Sequence, residues 1–304
     1  MPTMSSRLVC VLLLLILAGC SRTDLLYSNA DWLLQRWAAG LLDPQPAQRD
    51  AWERVIEQAM QAHRRELLPG VVGILRSAEL AATDGLDRRE LGCWMDLVEQ
   101  AYRDHANWAV APAAAVLDGV SAAQIEHLAE ELHERNLAYR DDYLDEDPVQ
   151  RRQARVQRYA ERIERWTGRL SSAQLGLVEE AVSAMPDLAE GWLAYREERQ
   201  QELLRLLRTG ADRAVLQAFL AGWWVDLDGR PAALVEAAEA LRLASLDLVL
   251  RLDATLSAAQ RSTFVDKVAD LREDFERLSG EPGGLPPLQA ASLACIEVPR
   301  PVAR

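Results

Sequence analysis

Apolar residues recur at three- and four-residue steps along most of this chain, and that spacing constrains the fold more than any other feature. One segment shows the pattern clearly: Trp52, Val55, Ile56, Ala59, Met60, His63 and Leu67. Positions three and four apart lie on one face of an α-helix, so this spacing predicts an amphipathic helix. Similar segments continue to about residue 279, and the sequence has no convincing period-two alternation. We therefore predict an all-α protein, an elongated or curved array of about ten antiparallel helices without a β-sheet.

Prolines and glycines divide the helical pattern into segments. Asp43-Pro44-Gln45-Pro46 and Asp228-Gly229-Arg230-Pro231 are typical of turns. An acidic stretch from Asp141 to Asp147 leads to Pro148, where we predict the main division of the chain. We expect an N-terminal helical lobe over 28–148, a C-terminal helical lobe over 149–279, and an extended or disordered tail over 280–304, which is rich in proline and glycine.

The N-terminus carries the pattern of an export signal. Arg7 precedes an apolar run from Leu8 to Ala18, which is much shorter than the roughly 20 residues that span a bilayer. The run ends in Leu17-Ala18-Gly19-Cys20, which resembles the lipobox of bacterial lipoprotein precursors. An uncleaved anchor, or a secreted protein in which Cys20 is incidental, is the alternative interpretation.

The lipobox resemblance implies a lipid anchor. It implies that residues 1–19 are removed as a signal peptide, that Cys20 receives diacylglycerol and a further acyl chain such as palmitate, and that residues 20–27 form a tether. Ser21 is similar to the sorting context of outer-membrane lipoproteins. The expected location is therefore the bacterial cell envelope, at the outer membrane and facing the periplasm, with the lipid as the membrane contact.

Charge and cysteine content narrow the class of partner. The formal net charge is −13, and such an acidic surface argues against nucleic acid as a partner, because neutralising phosphates requires clustered cations. Cys10 lies in the signal and Cys20 in the lipobox, which leaves Cys93 and Cys295. In an oxidising periplasm these two could form a disulfide between an early helix and the tail, or remain separate thiols.

A Ser-x-x-Gln element occurs three times, at Ser121–Gln124, Ser171–Gln174 and Ser257–Gln260. Each element precedes a helical segment, so we interpret it as a capping box, in which the serine and the glutamine each satisfy a backbone amide of the helix start. The elements are also similar to the Leu-Ser/Thr-x-x-Gln repeats of periplasmic stress chaperones. That resemblance implies the shielding of unfolded clients.

A wider resemblance covers most of residues 20–210. It is carried by Leu26-Tyr27-Ser28-Asn29-Ala30-Asp31-Trp32-Leu33, by His63-Arg64 before Leu68-Pro69, and by the stretch from Trp166 to Gln174. These elements are similar to a family of proteobacterial lipoproteins known only as a domain of unknown function. The resemblance implies an all-helical envelope protein without catalytic residues, whose motif residues are Tyr27, Asp31, Trp32, His63 and Arg64.

Six arginines form a regular row in the segment after Pro148: Arg151, Arg155, Arg158, Arg162, Arg165 and Arg169. Steps of four and three place all six guanidinium groups along one helical face. They could cover apolar surface with their stems and pair with carboxylates of neighbouring helices. Alternatively, they could form a strip that binds an anion or a partner protein.

Catalytic and metal-binding motifs are missing from the sequence. There is no His-Glu-x-x-His, Gly-x-Ser-x-Gly or phosphate-binding loop, and Glu130 with His133 has no second Glu-x-x-His pair to complete a di-iron site. His63 lies on the apolar stripe of its helix, so we predict a partly buried structural histidine. We predict no cofactor and no bound metal.

The predicted function is that of a non-enzymatic, lipid-anchored envelope protein that binds another periplasmic protein or envelope component through a helical surface. A periplasmic chaperone or foldase for secreted clients is one alternative. A cell-wall or lipid hydrolase is another, because catalytic carboxylates need not form a recognisable local motif.

Overall fold

A computed structural model of the chain describes residues 27, 29–144, 147–279 and 295. The predicted signal peptide, Cys20, Ser28 and the tail other than Cys295 lie outside these residues. Over the described part the chain contains helices and no strand, which confirms the all-α class. The helices are α1 (Ala30–Leu42), α2 (Pro46–Glu66), α3 (Leu68–Asp84), α4 (Arg88–Leu117), α5 (Ala122–Tyr143), α6 (Pro148–Thr167), α7 (Ser172–Ala184), α8 (Ala189–Arg208), α9 (Arg213–Ala221), a π-helical turn (Gly222–Asp226), α10 (Ala232–Asp253) and α11 (Ala258–Ser279).

Helices from the two sides of Pro148 pack directly on one another. The last helix, α11, packs along α3 and also contacts α2 and α6, while α8 packs on α5 and α9 packs on α4. The largest group of buried side chains draws on α1, α2, α4, α5, α8 and α9, and includes Leu42, Ala114, Leu128, Leu204 and Leu216. The predicted lobes 28–148 and 149–279 therefore share extensive apolar contact. In the described part of the chain, no helix is both long and apolar enough to cross a bilayer.

Prolines sit in the first turn of several helices rather than between helices. Pro46 and Pro148 are the first residues of α2 and α6, and Pro69 follows the first residue of α3. The backbone N–H that proline lacks has no intrahelical acceptor in that turn, so proline costs little there. Pro69 and Gly70 therefore lie within the first turn of α3, which runs from Leu68 to Asp84.

The three Ser-x-x-Gln elements form capping boxes, as predicted. At Ser121, Ser171 and Ser257, the serine Oγ accepts a hydrogen bond from the glutamine N–H at 3.2–3.3 Å. The glutamine Oε1 in turn accepts one from the serine N–H at 2.9–3.0 Å. A fourth capping box begins α2, where Gln45 and Gln48 play the two roles.

The capping glutamines also bind each other in two pairs. Gln48 and Gln124 exchange side-chain hydrogen bonds at 3.2 and 2.9 Å, and Gln174 and Gln260 do so at 3.1 and 3.0 Å. The amide groups also donate to backbone carbonyls, as Gln124 does to Leu42 at 2.9 Å. Each pair therefore holds together two helix starts that lie far apart in the sequence.

Candidate functional site

The N-terminal motif begins with Tyr27, which packs onto α2 and α11. Its hydroxyl lies 2.5 Å from Nδ1 of His63, and the guanidinium of Arg64 lies 5.6 Å from the centre of its ring. The ring edge of Tyr27 meets Phe275 of α11 at 6.4 Å between centroids. We call this group the Tyr27–His63 junction. It fixes the chain that precedes α1 to the helical body.

His63 lies inside the junction and is only 8% exposed. The rings of His105 and Trp108 on α4 contact it edge to face, at 5.0 and 4.8 Å between centroids. Burial lowers the pKa of His63 to about 4, and the nearby charges of His105 and Arg64 act in the same direction. The imidazole is therefore neutral at pH 7.

Tyr27 is also neutral at pH 7. Burial raises its pKa to about 12, although Arg64 acts in the opposite direction. With both groups uncharged, the tyrosine hydroxyl can donate to Nδ1 of His63 while the imidazole carries its proton on Nε2. The junction is a partly buried hydrogen bond between two neutral side chains from separate segments of the chain.

The other two motif residues face away from the junction. The carboxylate of Asp31 accepts a hydrogen bond from the N–H of Trp32 at 3.0 Å, at the start of α1. Trp32 and Trp37 are each 55% exposed, and the guanidinium of Arg36 lies 5.8 Å from the ring centre of Trp32. We call the exposed residues Trp32, Leu33, Leu34, Arg36 and Trp37 the α1 tryptophan face.

The N-terminal half of the predicted arginine strip is part of the helix packing. Arg155 donates through Nη2 to the carbonyl oxygens of Val182 and Met185, at 2.6 and 2.9 Å, and so satisfies the end of α7. Arg151 and Arg155 lie 3.7 and 3.9 Å from the carboxylate of Asp187. Arg151 and Arg155 therefore pair with groups of neighbouring helices, which is one of the two roles considered for the row from the sequence.

Arg158 has a similar role at the end of α5. Its guanidinium stacks 4.8 Å from the ring centre of Tyr143, and Nη1 donates to the carbonyl oxygen of Asp142 at 3.3 Å. The other three arginines, Arg162, Arg165 and Arg169, have exposed side chains, and none forms an ion pair with another described residue. The structure thus divides the row into a packed half and an open half.

Cys93 of α4 and Cys295 are joined by a disulfide, with their Cα atoms 5.7 Å apart. Cys295 is 1% exposed and belongs to a buried group with Trp94, Leu97 and Leu246. The bond therefore fastens a residue near the C-terminus to the interior of the helical body. Cys20, the predicted lipidation site, lies outside the described residues.

The remaining histidines show no catalytic arrangement. Glu130 and His133 are both exposed on α5. Nε2 of His127 donates to the carbonyl oxygen of Gly40 at 3.0 Å, and Glu131, four residues further along α5, lies 3.7 Å from Arg135. Among the described residues, no group of three or more His, Cys, Asp or Glu side chains is arranged to hold a metal ion.

A cavity of about 330 Å³ lies among residues that the sequence patterns did not single out. Its walls come from α4, α5, α8 and the π-helical turn with the residue that follows it. We call it the aromatic pocket, and it is lined by Tyr102, Tyr139, Trp192, Tyr195, Arg196, Trp223, Trp224 and Leu227. Six of these eight side chains are aromatic, and one is a cation.

The π-helical turn forms one wall of the aromatic pocket. Tyr102 donates its hydroxyl to the carbonyl oxygen of Trp224 at 3.1 Å, and Tyr195 donates to that of Asp228 at 3.0 Å. Leu227 ends the turn in the left-handed region with φ 55°, which is strained for a residue other than glycine. The π-helical turn follows α9 directly and ends at Leu227. Here it directs two adjacent tryptophans into one cavity.

Arg196 supplies the positive charge of the aromatic pocket. Its guanidinium lies 4.5 Å from the ring centre of Tyr139, and its Nε and Nη2 atoms are buried without a hydrogen-bond partner. None of the carboxylates in the described part of the chain forms an ion pair with it. Burial raises the pKa of Tyr195, while the nearby charges of Arg199 and Arg230 lower it and that of Asp228 raises it, so charges of both signs lie near Tyr195.

Two local signals could have pointed to this pocket. Trp192, Tyr195 and Arg196 are three and four residues apart, so they share a face of α8, and Trp223-Trp224 precedes the turn at Asp228. Tyr102 and Tyr139 come from other helices, however. Their approach depends on how α4 and α5 pack on α8, which a single sequence does not reveal.

Comparison with known proteins gives one match. Residues 41–221, more than half of the chain, match the model of a family described as a family of unknown function (DUF6279). That range includes His63, Arg64 and five of the residues of the aromatic pocket, while Trp223, Trp224 and Leu227 follow directly after it. No curated protein and no solved structure matches the chain.

Proposed function

We propose that this chain, which belongs to the DUF6279 family of unknown function, is a non-enzymatic lipoprotein of the bacterial cell envelope. In this proposal it is anchored through Cys20 at the outer membrane, faces the periplasm, and binds another envelope component through a helical surface. The N-terminal residues support the anchor, since the apolar run to Ala18 ends in the lipobox-like Leu17-Ala18-Gly19-Cys20.

The α1 tryptophan face is the structural observation that carries the proposal. Trp32 and Trp37 are each 55% exposed, and tryptophan favours the interface between a membrane and water. Tyr27 is fixed to the helical body only seven residues after Cys20. An extended chain of that length reaches at most about 25 Å, so a lipid on Cys20 would hold this face close to the membrane surface.

The open half of the arginine row supports the binding role. Arg162, Arg165 and Arg169 lie on α6 and at its end, with exposed guanidinium groups that no other described residue pairs with. Their planar guanidinium groups suit a partner that presents carboxylates or phosphates. The Ser-x-x-Gln elements give no separate support to a chaperone role, because they act as helix caps.

The anchor is tested by expressing the full precursor and its Cys20→Ser variant in a bacterial host. We expect the wild-type protein in the outer-membrane fraction, with a mass increase that corresponds to acylation of Cys20. The variant should appear in the soluble periplasmic fraction without that increase. Equal fractionation and equal masses for the two proteins would contradict the proposed anchor.

The binding surface is tested by crosslinking in intact cells with the double variant Arg162→Glu, Arg165→Glu. Arg152→Glu is the matched control, because Arg152 is exposed on the same helix but outside the row. We expect the double reversal to abolish a crosslinked species that the control retains. The unfolding free energy of both variants should stay within about 0.5 kcal/mol of wild type, as is usual for exposed positions. Identical crosslinking of all three proteins would contradict this surface.

A further inference from the structure

The polar groups of the aromatic pocket are mostly hydrogen-bond donors. Trp192, Trp223 and Trp224 each carry an indole N–H, and no described residue accepts a hydrogen bond from any of them. The hydroxyls of Tyr102 and Tyr195 already donate to backbone carbonyls of the opposite wall. No acidic side chain lines the cavity. A ligand that fits must therefore supply acceptors.

Because Arg196 is positively charged, a ligand whose acceptor is an anion should bind best. The Nε and Nη2 atoms of this guanidinium are buried without a partner, which is costly because these N–H groups lose water and gain no acceptor in return. Stacking on Tyr139 fixes the plane of this guanidinium and offsets part of that cost. An anion in the cavity would supply the missing charge, and the planar group matches a carboxylate in shape.

The remaining surface of the cavity suits a ring. Trp192 and Tyr195 meet at 5.7 Å between centroids, and Trp223 and Trp224 meet at 6.1 Å, so the walls present several ring faces and edges. At about 330 Å³ the cavity is at the small end of known ligand pockets, which range from about 300 to 1,000 Å³. It has room for one substituted ring and not for a folded partner.

We propose that the aromatic pocket binds a carboxylate attached to a single ring, which can be a sugar ring or an aromatic ring. Arg196 holds the carboxylate, and the tryptophans of α8 and of the π-helical turn cover the ring. This site is separate from the α1 tryptophan face and from the open arginines of α6. It does not depend on lipidation of Cys20.

Isothermal titration calorimetry of the detergent-solubilised full chain tests this proposal with two matched pairs of probes. N-acetylmuramic acid is compared with N-acetylglucosamine, and benzoate is compared with benzamide. We expect at least one acid to bind at least about tenfold more tightly than its neutral counterpart, because hydrogen bonds to a charged partner are the stronger ones. Binding of only one of the two acids would identify which ring is recognised.

Arg196→Gln should reduce the affinity for the acid to that for the neutral probe. Arg196→Lys should give an intermediate loss of affinity, because lysine keeps the charge but lacks the planar guanidinium. If Arg196→Gln does not fold, Arg196→Lys still tests whether Arg196 binds the carboxylate. The control is Arg205→Gln on the same helix, whose guanidinium pairs with Glu202 outside the cavity and should leave binding unchanged. Equal affinity for acid and neutral probe, an unchanged affinity in both Arg196 variants, or no binding of either acid at millimolar concentration would overturn the proposal.

Discussion

The Tyr27–His63 junction and the aromatic pocket use the same components in different ways. Each places an arginine over a tyrosine ring, Arg64 over Tyr27 at 5.6 Å and Arg196 over Tyr139 at 4.5 Å. At the junction, the central ring of His63 is contacted by aromatic rings from the N-terminal segment and from α4. In the pocket, the rings stand around a cavity of about 330 Å³.

The difference lies in which groups complete each cluster. At the junction, the hydroxyl of Tyr27 meets a side-chain acceptor of another segment, so that contact joins two parts of the chain. In the pocket, the hydroxyls of Tyr102 and Tyr195 bind backbone carbonyls, and the indole N–H groups and Arg196 are left for a ligand. Mutations at the junction should therefore change stability, whereas mutations in the pocket should change binding more than stability.

The largest stability effect should come from protonation of His63. Its pKa is about 4 in the folded protein against 6.5 in the unfolded chain, so below pH 6.5 the unfolded chain takes up the proton first. The unfolding free energy should therefore fall as the pH falls from 6.5 toward 4, and the loss should reach about 2 kcal/mol at pH 5. Urea unfolding between pH 7 and pH 5 measures this slope.

Two variants separate the contribution of His63 from that of other titrating groups. His63→Gln should remove the corresponding part of the slope, whereas His133→Gln, which changes an exposed histidine, should leave the slope as in the wild type. If His63→Gln and wild type lose the same free energy between pH 7 and pH 5, His63 is not buried as a neutral group. The junction would then be as accessible to water as the pocket, and the proposed difference between the two clusters would be wrong.

A smaller effect is expected from Tyr27→Phe. The variant keeps the ring but removes the hydroxyl, which leaves Nδ1 of the buried His63 without its partner. An unsatisfied buried acceptor costs about 1–3 kcal/mol, and because this hydrogen bond is only partly buried the unfolding free energy in urea at pH 7 should fall by about 1 kcal/mol, at the low end of that range. An unchanged value would mean that water reaches His63 and that the junction is not closed.

The sequence predicts the junction and the helix starts better than it predicts the pocket. A single helix fixes which of its residues share a face, so the apolar stripe that contains His63 and the capping boxes at Ser121 and Ser171 could be interpreted locally. The resemblance named Tyr27 and His63 as motif residues, but nothing in the sequence indicated that they would contact each other, since Tyr27 is 36 residues away along the chain. The capping interpretation was correct, but nothing local indicated that Gln174 would also bind Gln260.

The arginine row also shows how far prediction from a single sequence can go. Steps of four and three correctly placed Arg151 to Arg165 on one face of α6, but Arg169 lies beyond the end of this helix. The spacing also could not show that Arg155 meets the end of α7 while Arg162 faces solvent. That division depends on where α7 and α5 end beside α6. The aromatic pocket depends on still more, because four separate elements must meet before its cavity exists.

The smallest effect should come from Tyr102→Phe, the matched change in the aromatic pocket. Tyr102 is 51% exposed, so water can replace its hydrogen bond to the carbonyl oxygen of Trp224, and the unfolding free energy should change by less than about 0.5 kcal/mol. The same urea titration as for Tyr27→Phe gives a direct comparison. Because both variants remove only a hydroxyl, a cost for Tyr102→Phe equal to that of Tyr27→Phe would mean that the pocket wall is as tightly enclosed as the junction. A cavity with such a wall would not open to a ligand, and the assignment of stability to one cluster and binding to the other would have to be abandoned.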